Sequence, residues 1–358
     1  CMQRRERDAY IHIYIPVRPH NNSTGETRTV GEKHDIMAES GAGNAPLSKG
    51  FSILCTGHSR PVTQFVYSAI VEDSFWIVSS CLDGKPMIRN GETGDWVGTL
   101  EGHKGAVWDT AIDLSASRVA TASADYNVKL WNALNGKELL NLEHDHVVKS
   151  VDVNADASRL VSGCMDCDVR VYDVASEEET VKLAGHEKSL KSTLFFPKGE
   201  DTEQLVLSGD QDGHIRLWDV RSGSVVRTFE TGGALTSLQI VGDVMVVVSG
   251  QKVDFLDAKS FDVVKVFEAG FDLESAGLSP DKRSFVVGAS DFPVRVYNFD
   301  TLEELECNRG HHGPVHCTRF APDSKSYASS SEDGTIRIWT DAGAPEGAPA
   351  SLVGGPLQ

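Results

Sequence analysis

Histidine, a hydroxyl side chain, aspartate and an indole recur along this 358-residue chain at a spacing that invites a catalytic reading. His103, Thr121, Asp125 and Trp131 form one set, His186, Ser208, Asp212 and Trp218 a second, and His311, Ser329, Asp333 and Trp339 a third. A hydroxyl, an imidazole and a carboxylate are what nucleophilic catalysis asks for: an attacking oxygen, a base to take its proton and an acid to orient the base. An enzyme needs that constellation once per active site, whereas here it repeats in separate stretches, always with the aspartate in a turn and an indole N–H closing the series. Buried together, the same groups satisfy one another as a hydrogen-bonded chain that ties strands to each other. The repetition favours this structural role, and no residue is assigned to catalysis, to a cofactor or to a metal. No Gly-rich phosphate loop or metal-spaced cluster points elsewhere. Cys164-Met165-Asp166-Cys167 has CxxC spacing, but a zinc site needs four ligands and no second pair follows it.

The elements that would position these side chains are legible from the intervals between them. Gly57-His58, Gly102-His103, Gly185-His186 and Gly310-His311 are copies of one marker, with Glu143-His144 a variant. Four residues after each histidine stands an apolar residue: Val62, Val107, Val148, Leu190 and Val315. A turn aspartate follows at Asp83, Asp125, Asp166, Asp212, Asp291 and Asp333, and in most copies a large ring stands six residues later. The aspartates lie about 40 to 46 residues apart, the period of a four-stranded propeller blade with Gly-His and Trp-Asp signatures. Between the markers the chain alternates at period two, as in Val128-Lys129-Leu130-Trp131, and Asn135-Gly136, Asp212-Gly213 and Asp333-Gly334 supply turns.

The gap from Asp212 to Asp291 is about twice the period, and Val225 to Asp257 fills it with a degenerate copy in which Gly232-Gly233 replaces Gly-His. Seven blades result, within the usual range of four to eight. The last copy has only three strands of its own, so Phe51-Ser52-Ile53-Leu54-Cys55 is expected to close the ring as the outer strand of the seventh blade. The fold class is thus all-β, a seven-bladed propeller over residues 51–340. Residues 1–50 read as a disordered extension, of which 1–36 are expected to be upstream sequence rather than native protein. Residues 341–358, rich in Pro, Gly and Ala, read as a disordered tail.

Composition narrows the function. The formal net charge is −18, and residues 1–36 are close to neutral, so the acidity belongs to the folded body. Phosphate backbones are held by clustered Lys and Arg, so direct nucleic-acid binding is disfavoured. No apolar run approaches the eighteen or so residues of a membrane span, and no export signal is legible, which makes cytoplasm and nucleus the expected compartments. Seven cysteines, an odd number without framework spacing, read as reduced thiols. A function is therefore sought on a surface. The rim where the inner strands begin carries the residues flanking each apolar marker, and Trp108, Lys149, Lys191, Asp272, Glu274 and His316 are the candidate partner-binding residues. An aromatic there is a natural anchor, and the two lysines are expected to oppose Asp272 and Glu274 across a polarised mouth.

The run from Asp83 to Trp108, Gly57 to Val62, and Gly310 to Trp339 resemble the serine-threonine kinase receptor-associated protein family of WD-repeat proteins. The likeness covers about Phe51 to Trp339, and its specific part is Lys85-Pro86-Met87-Ile88-Arg89 followed by Gly94-Asp95-Trp96-Val97-Gly98. The resemblance implies a non-enzymatic scaffold without cofactor. It implies a monomeric subunit of the survival-of-motor-neuron complex, contacting Gemin subunits during spliceosomal snRNP assembly. The alternatives are an adaptor between TGF-β receptor kinases and inhibitory Smads, a partner of the RNA-binding protein Unr, and a ubiquitin-ligase substrate receptor, for which residues 1–50 offer no docking segment. Cys164 and Cys167 depart from the family pattern, as do both terminal extensions.

Overall fold

The computed structural model describes residues 52–196 and 205–340, so the expectations for residues 1–50 and 341–358 lie outside the described residues. Among the described residues, twenty-eight strands form seven four-stranded antiparallel sheets. The first blade is β2 (Val62–Tyr67), β3 (Trp76–Cys81), β4 (Met87–Asn90) and β5 (Trp96–Thr99), and the second is β6 (Val107–Ile112), β7 (Arg118–Ser123), β8 (Asn127–Asn132) and β9 (Glu138–Glu143). The third is β10 (Val148–Val153), β11 (Arg159–Cys164), β12 (Val169–Asp173) and β13 (Glu178–Leu183), and the fourth β14 (Leu190–Phe196), β15 (Leu205–Asp210), β16 (His214–Asp219) and β17 (Ser224–Glu230). The fifth is β18 (Leu235–Val241), β19 (Val244–Ser249), β20 (Lys252–Asp257) and β21 (Val263–Glu268), and the sixth β22 (Leu273–Leu278), β23 (Ser284–Ala289), β24 (Val294–Asn298) and β25 (Glu304–Asn308).

The seventh blade combines β26 (Val315–Phe320), β27 (Ser326–Ser331) and β28 (Ile336–Thr340) with β1 (Ser52–Cys55) from the other end of the chain. Ser52 pairs with Trp339 and Cys55 with Ile336, and Arg337 Nη1 donates to Ser52 Oγ at 3.0 Å. This pairing removes the open edge that β28 would otherwise present.

The second and third strands of a blade are buried on both faces, because each sheet is packed between two others. In β8, Val128, Lys129, Leu130 and Trp131 are all buried despite their alternation. Single apolar clusters span neighbouring blades: Phe255 of the fifth meets Phe285 of the sixth edge-on at 5.2 Å between ring centres. No blade can bury its faces alone, so the ring stands or falls with its neighbours.

One irregularity recurs in every inner strand. The register slips directly after the apolar marker, between Val62 and Gln64, Val107 and Asp109, Val148 and Ser150, Leu190 and Ser192, Leu235 and Ser237, Leu273 and Ser275, and Val315 and Cys317. A bulge leaves one residue unpaired and re-aims its side chain. Those residues are Thr63, Trp108, Lys149, Lys191, Thr236, Glu274 and His316.

Candidate partner-binding mouth

The His–Ser/Thr–Asp–Trp series are inward-facing ties rather than reactive centres. In the second blade the Trp131 indole donates to Thr121 Oγ1 at 2.9 Å, Thr121 to His103 Nε2 at 2.7 Å, and His103 Nδ1 to Asp125 at 2.9 Å. The seventh repeats it through Trp339, Ser329, His311 and Asp333, at 2.8, 2.8 and 3.1 Å. The His103 and His311 side chains have no exposed surface, so a substrate could not reach the hydroxyl each one holds. Burial alone would raise the Asp333 carboxyl, but donations from Thr335, the His312 N–H and His311 hold it at about 2. The preceding glycine has a packing reason: a Cβ on Gly102 would stand 3.1 Å from the Trp131 ring, and one on Gly185 3.2 Å from Trp218.

The fourth blade corrects one expectation. His186 Nδ1 donates to Asp210 at 2.9 Å, not to Asp212, while Ser208 and Trp218 take their expected places at 2.7 Å each. In the second and seventh blades the residue closing the second strand is Ser123 or Ser331, whose hydroxyl receives the N–H of the tetrad aspartate. Here Asp210 stands at that strand end. One of its oxygens takes the N–H of Asp212 at 3.1 Å and that of His214 at 2.9 Å, and the other takes His186. A second carboxylate would be repelled from the same pocket, and the Asp212 side chain is half exposed, 3.9 Å from Lys188.

The first blade holds a series that spacing alone left unassigned: His58 bonds Ser79 at 2.8 Å and Asp83 at 3.2 Å. Ser79 precedes Asp83 by four residues, as Thr121 precedes Asp125, which was the available signal. Arg89 fills the place of the missing ring, buried, donating to the Thr56 and Gly94 carbonyls. His58, Cys81 and Asp83 bring donor atoms within 4.8 Å of one another. Burial pushes the Cys81 thiol up to about 12, and His58 is committed through both nitrogens, so this group reads as the blade's own tie rather than a metal centre. In the third blade His144 bonds Ser162 at 2.8 Å and Tyr172 at 3.1 Å, while Asp166 pairs with Arg170. Cys164 closes its strand as Cys81 does, with Sγ 3.2 Å from the Val147 carbonyl, and Cys167 lies in the turn.

The candidate surface is the end of the central channel where the inner strands begin. A cavity of about 600 Å³ opens there, and all seven bulge residues line it. Thus Trp108, Lys149, Lys191, Glu274 and His316 are brought together, with Glu332 beside them. Asp272 is not: it precedes its apolar marker, lies outside the bulge, and is exposed with its carboxylate accepting from Gln251 Nε2 at 3.0 Å. Lys149 lies flat over Trp108, its Nζ 3.1 Å from the ring centre. Burial first, then the charge of Lys191, lower the Lys149 ammonium to about 8. On the opposite side Glu274 accepts from Ser290 at 3.0 Å, and His316 pairs with Glu332 at 2.6 Å. The mouth is polarised, with cations on the third and fourth blades and acids on the sixth and seventh. A second cavity of about 600 Å³ at the other end of the channel is more apolar, lined by Phe195, Phe196, Ile240 and Phe320 among others. Gln64, Asp109, Ser192 and Leu238 border both cavities and mark the waist between them.

Comparison with known proteins agrees with this architecture. A family model described as the IFT122 first beta-propeller matches residues 64–340. Serine-threonine kinase receptor-associated protein of Dictyostelium discoideum is 46% identical over 290 residues, covering 80% of this chain and 98% of that protein. The Homo sapiens protein of the same name is 41% identical over 290 residues, covering 80% of this chain and 81% of its own length.

Proposed function

Because this chain belongs to the serine-threonine kinase receptor-associated protein family of WD-repeat β-propellers, we propose that it is a non-enzymatic protein-binding scaffold, a subunit of the survival-of-motor-neuron complex acting in spliceosomal snRNP assembly. The scaffold role rests on geometry. The hydroxyls that could have served as nucleophiles are tied up inside blades, while seven side chains of five kinds are turned into one open mouth. Blade-to-blade variation at an otherwise repeated position is what a binding rim needs and what a purely structural rim does not.

The assignment to the assembly complex is carried by one observation, the run Lys85-Pro86-Met87-Ile88-Arg89 followed by Gly94-Asp95-Trp96-Val97-Gly98. It folds into β4 and β5, where Arg89 replaces the usual ring and Trp96 stands 58% exposed. In this reading the partners are survival-of-motor-neuron and Gemin subunits, met as a monomeric subunit in cytoplasm and nucleus, with no direct contact to RNA. Affinity purification of the full chain from its own cells should recover those subunits. A purification that retains folded propeller but recovers none of them would remove the assignment.

A second reading is favoured by the relatives' name, which says that they associate with a serine-threonine kinase receptor. Here the mouth would join a TGF-β-type receptor kinase to an inhibitory Smad, with an Unr-like RNA-binding protein as a further partner. Comparing the proteins recovered before and after ligand stimulation separates the two: an assembly subunit keeps its partners, an adaptor exchanges them.

A further inference from the structure

The mouth has an unequal supply of partners for its charges. Its acids are engaged, Glu274 by Ser290 and Glu332 by His316. Its two ammonium groups are not: among the described residues no carboxylate pairs with Lys149 or Lys191, and Lys149 has only the face of Trp108. Both lysines sit at bulges of adjacent inner strands, which aims them into the same space. The Lys191 charge reaches Lys149 and disfavours its ammonium, and with no anion paired to either an indole face offsets only part of that cost.

Resting on the reading of this mouth as a partner-binding site, we propose that the partner presents an acidic peptide segment, one side-chain carboxylate of which seats between Lys149 and Lys191 beside Trp108. A carboxylate there gains two charge-assisted hydrogen bonds and cancels the repulsion between the lysines. Burial and Lys191 already lower the Lys149 ammonium to about 8, the direction expected of a cation that lacks its counter-charge. Ser189, Ser192 and Gln211 line the same side and offer donors to a second oxygen. About 600 Å³ admits a few side chains of a protruding segment, not a folded domain. Nucleic acid is the poorer occupant, since a phosphate backbone needs a track of cations, and this chain carries a net charge of −18 with only two lysines in the mouth.

The test is fluorescence anisotropy of the full chain with a short, amidated, fluorescein-labelled peptide of consecutive glutamates, beside its glutamine counterpart. The glutamate peptide should bind at least about tenfold tighter. Lys149→Gln and Lys191→Gln should each lose about tenfold, Lys149→Arg should retain binding, and Glu332→Gln should not weaken it, with thermal melts confirming that each variant is folded. Equal binding of the two peptides, no binding of the glutamate peptide, full affinity in both Gln variants, or preferential displacement by single-stranded RNA would each overturn the proposal. If assembly subunits are still recovered while the glutamate preference is absent, only the acidic specificity falls. If the peptide binds as described and no such subunit is recovered, only the assignment to that complex falls.

Discussion

The Lys149 ammonium stands 3.1 Å from the centre of the Trp108 indole, across the junction of the second and third blades. In a regular ladder neither side chain would point there, because each occupies the unpaired position of a bulge. The Trp108 indole N–H is buried without a hydrogen-bond partner, so removing the ring breaks no hydrogen bond and takes only the cation–π contact from Lys149. Trp108→Ala and Lys149→Glu should therefore weaken a partner at the mouth while leaving the fold nearly intact. We expect a binding loss of about 2 kcal/mol or more for Trp108→Ala and a stability change within about 1 kcal/mol. Calorimetric titration with the purified partner, run beside thermal melts, reads both; early melting of both variants would make the pair core instead of surface.

The fourth blade offers a sharper test of the tie. Asp210→Ala removes the acceptor for His186 and for two backbone N–H groups, and should cost about 2–4 kcal/mol because buried donors go unpaired. Asp212→Ala removes a half-exposed carboxylate near Lys188 and should fall within about 0.5 kcal/mol of the parent. Denaturant unfolding of the two variants side by side is sufficient, and the reverse order would restore Asp212 to the tie.

That pair also shows where the sequence was legible. Blade number, strand order and the closing strand follow from a period and from turn chemistry, which are local properties and recur in six of the seven blades. Asp210 against Asp212 is a choice between two carboxylates two residues apart, and it depends on which of them also caps the strand end. The mouth was half legible: the apolar markers located the rim, but of the residues on either side of each marker the following one lines the mouth in every blade and the preceding one only in some, as Pro61, Ser189 and Ala234 do. The bulge that decides this leaves no trace in composition, because residues as different as Thr63, Trp108 and Glu274 occupy it. Asp272 was misplaced for that reason.

Acid should weaken the propeller in two stages. Burial lowers His144 to about 4, and His186 and His311 are also held below their ordinary range, chiefly by burial. Unfolded imidazoles take up protons near pH 6.5, so below that pH the unfolded chain binds more protons and stability falls, until the folded histidines titrate. The tetrad carboxylates act lower still. Asp333 is held at about 2, and Asp83 and Asp125 also lie well below the usual range, so their contribution is complete above roughly pH 4 and is lost as pH falls toward the folded values. His144→Gln should remove on the order of 2–3 kcal/mol of the stability change between about pH 6.5 and pH 4. Denaturant midpoints at a series of pH values measure it, and an unchanged slope would mean that His144 does not carry that proton linkage.

The fifth blade carries an inverted charge. At the third-strand position where other blades place Lys129, Arg170, Arg216, Arg295 and Arg337, it has Asp254, wholly buried on β20. Lys252 approaches one carboxylate oxygen at 2.8 Å, but the approach is poorly directed, and neither oxygen accepts a formed hydrogen bond. Proximity without good geometry supplies Coulomb attraction and leaves much of the desolvation cost uncompensated. Lys252→Met should therefore cost about 3 kcal/mol, since it strands a buried carboxylate. Asp254→Leu alone should cost little, because the Lys252 side chain is 38% exposed and can turn to water. The double variant should recover most of the loss. A double-mutant cycle by denaturant unfolding would then give a coupling energy of about 2 kcal/mol or more between the two positions. A neutral Lys252→Met, with no coupling in the cycle, would mean that Lys252 does not offset the burial of Asp254.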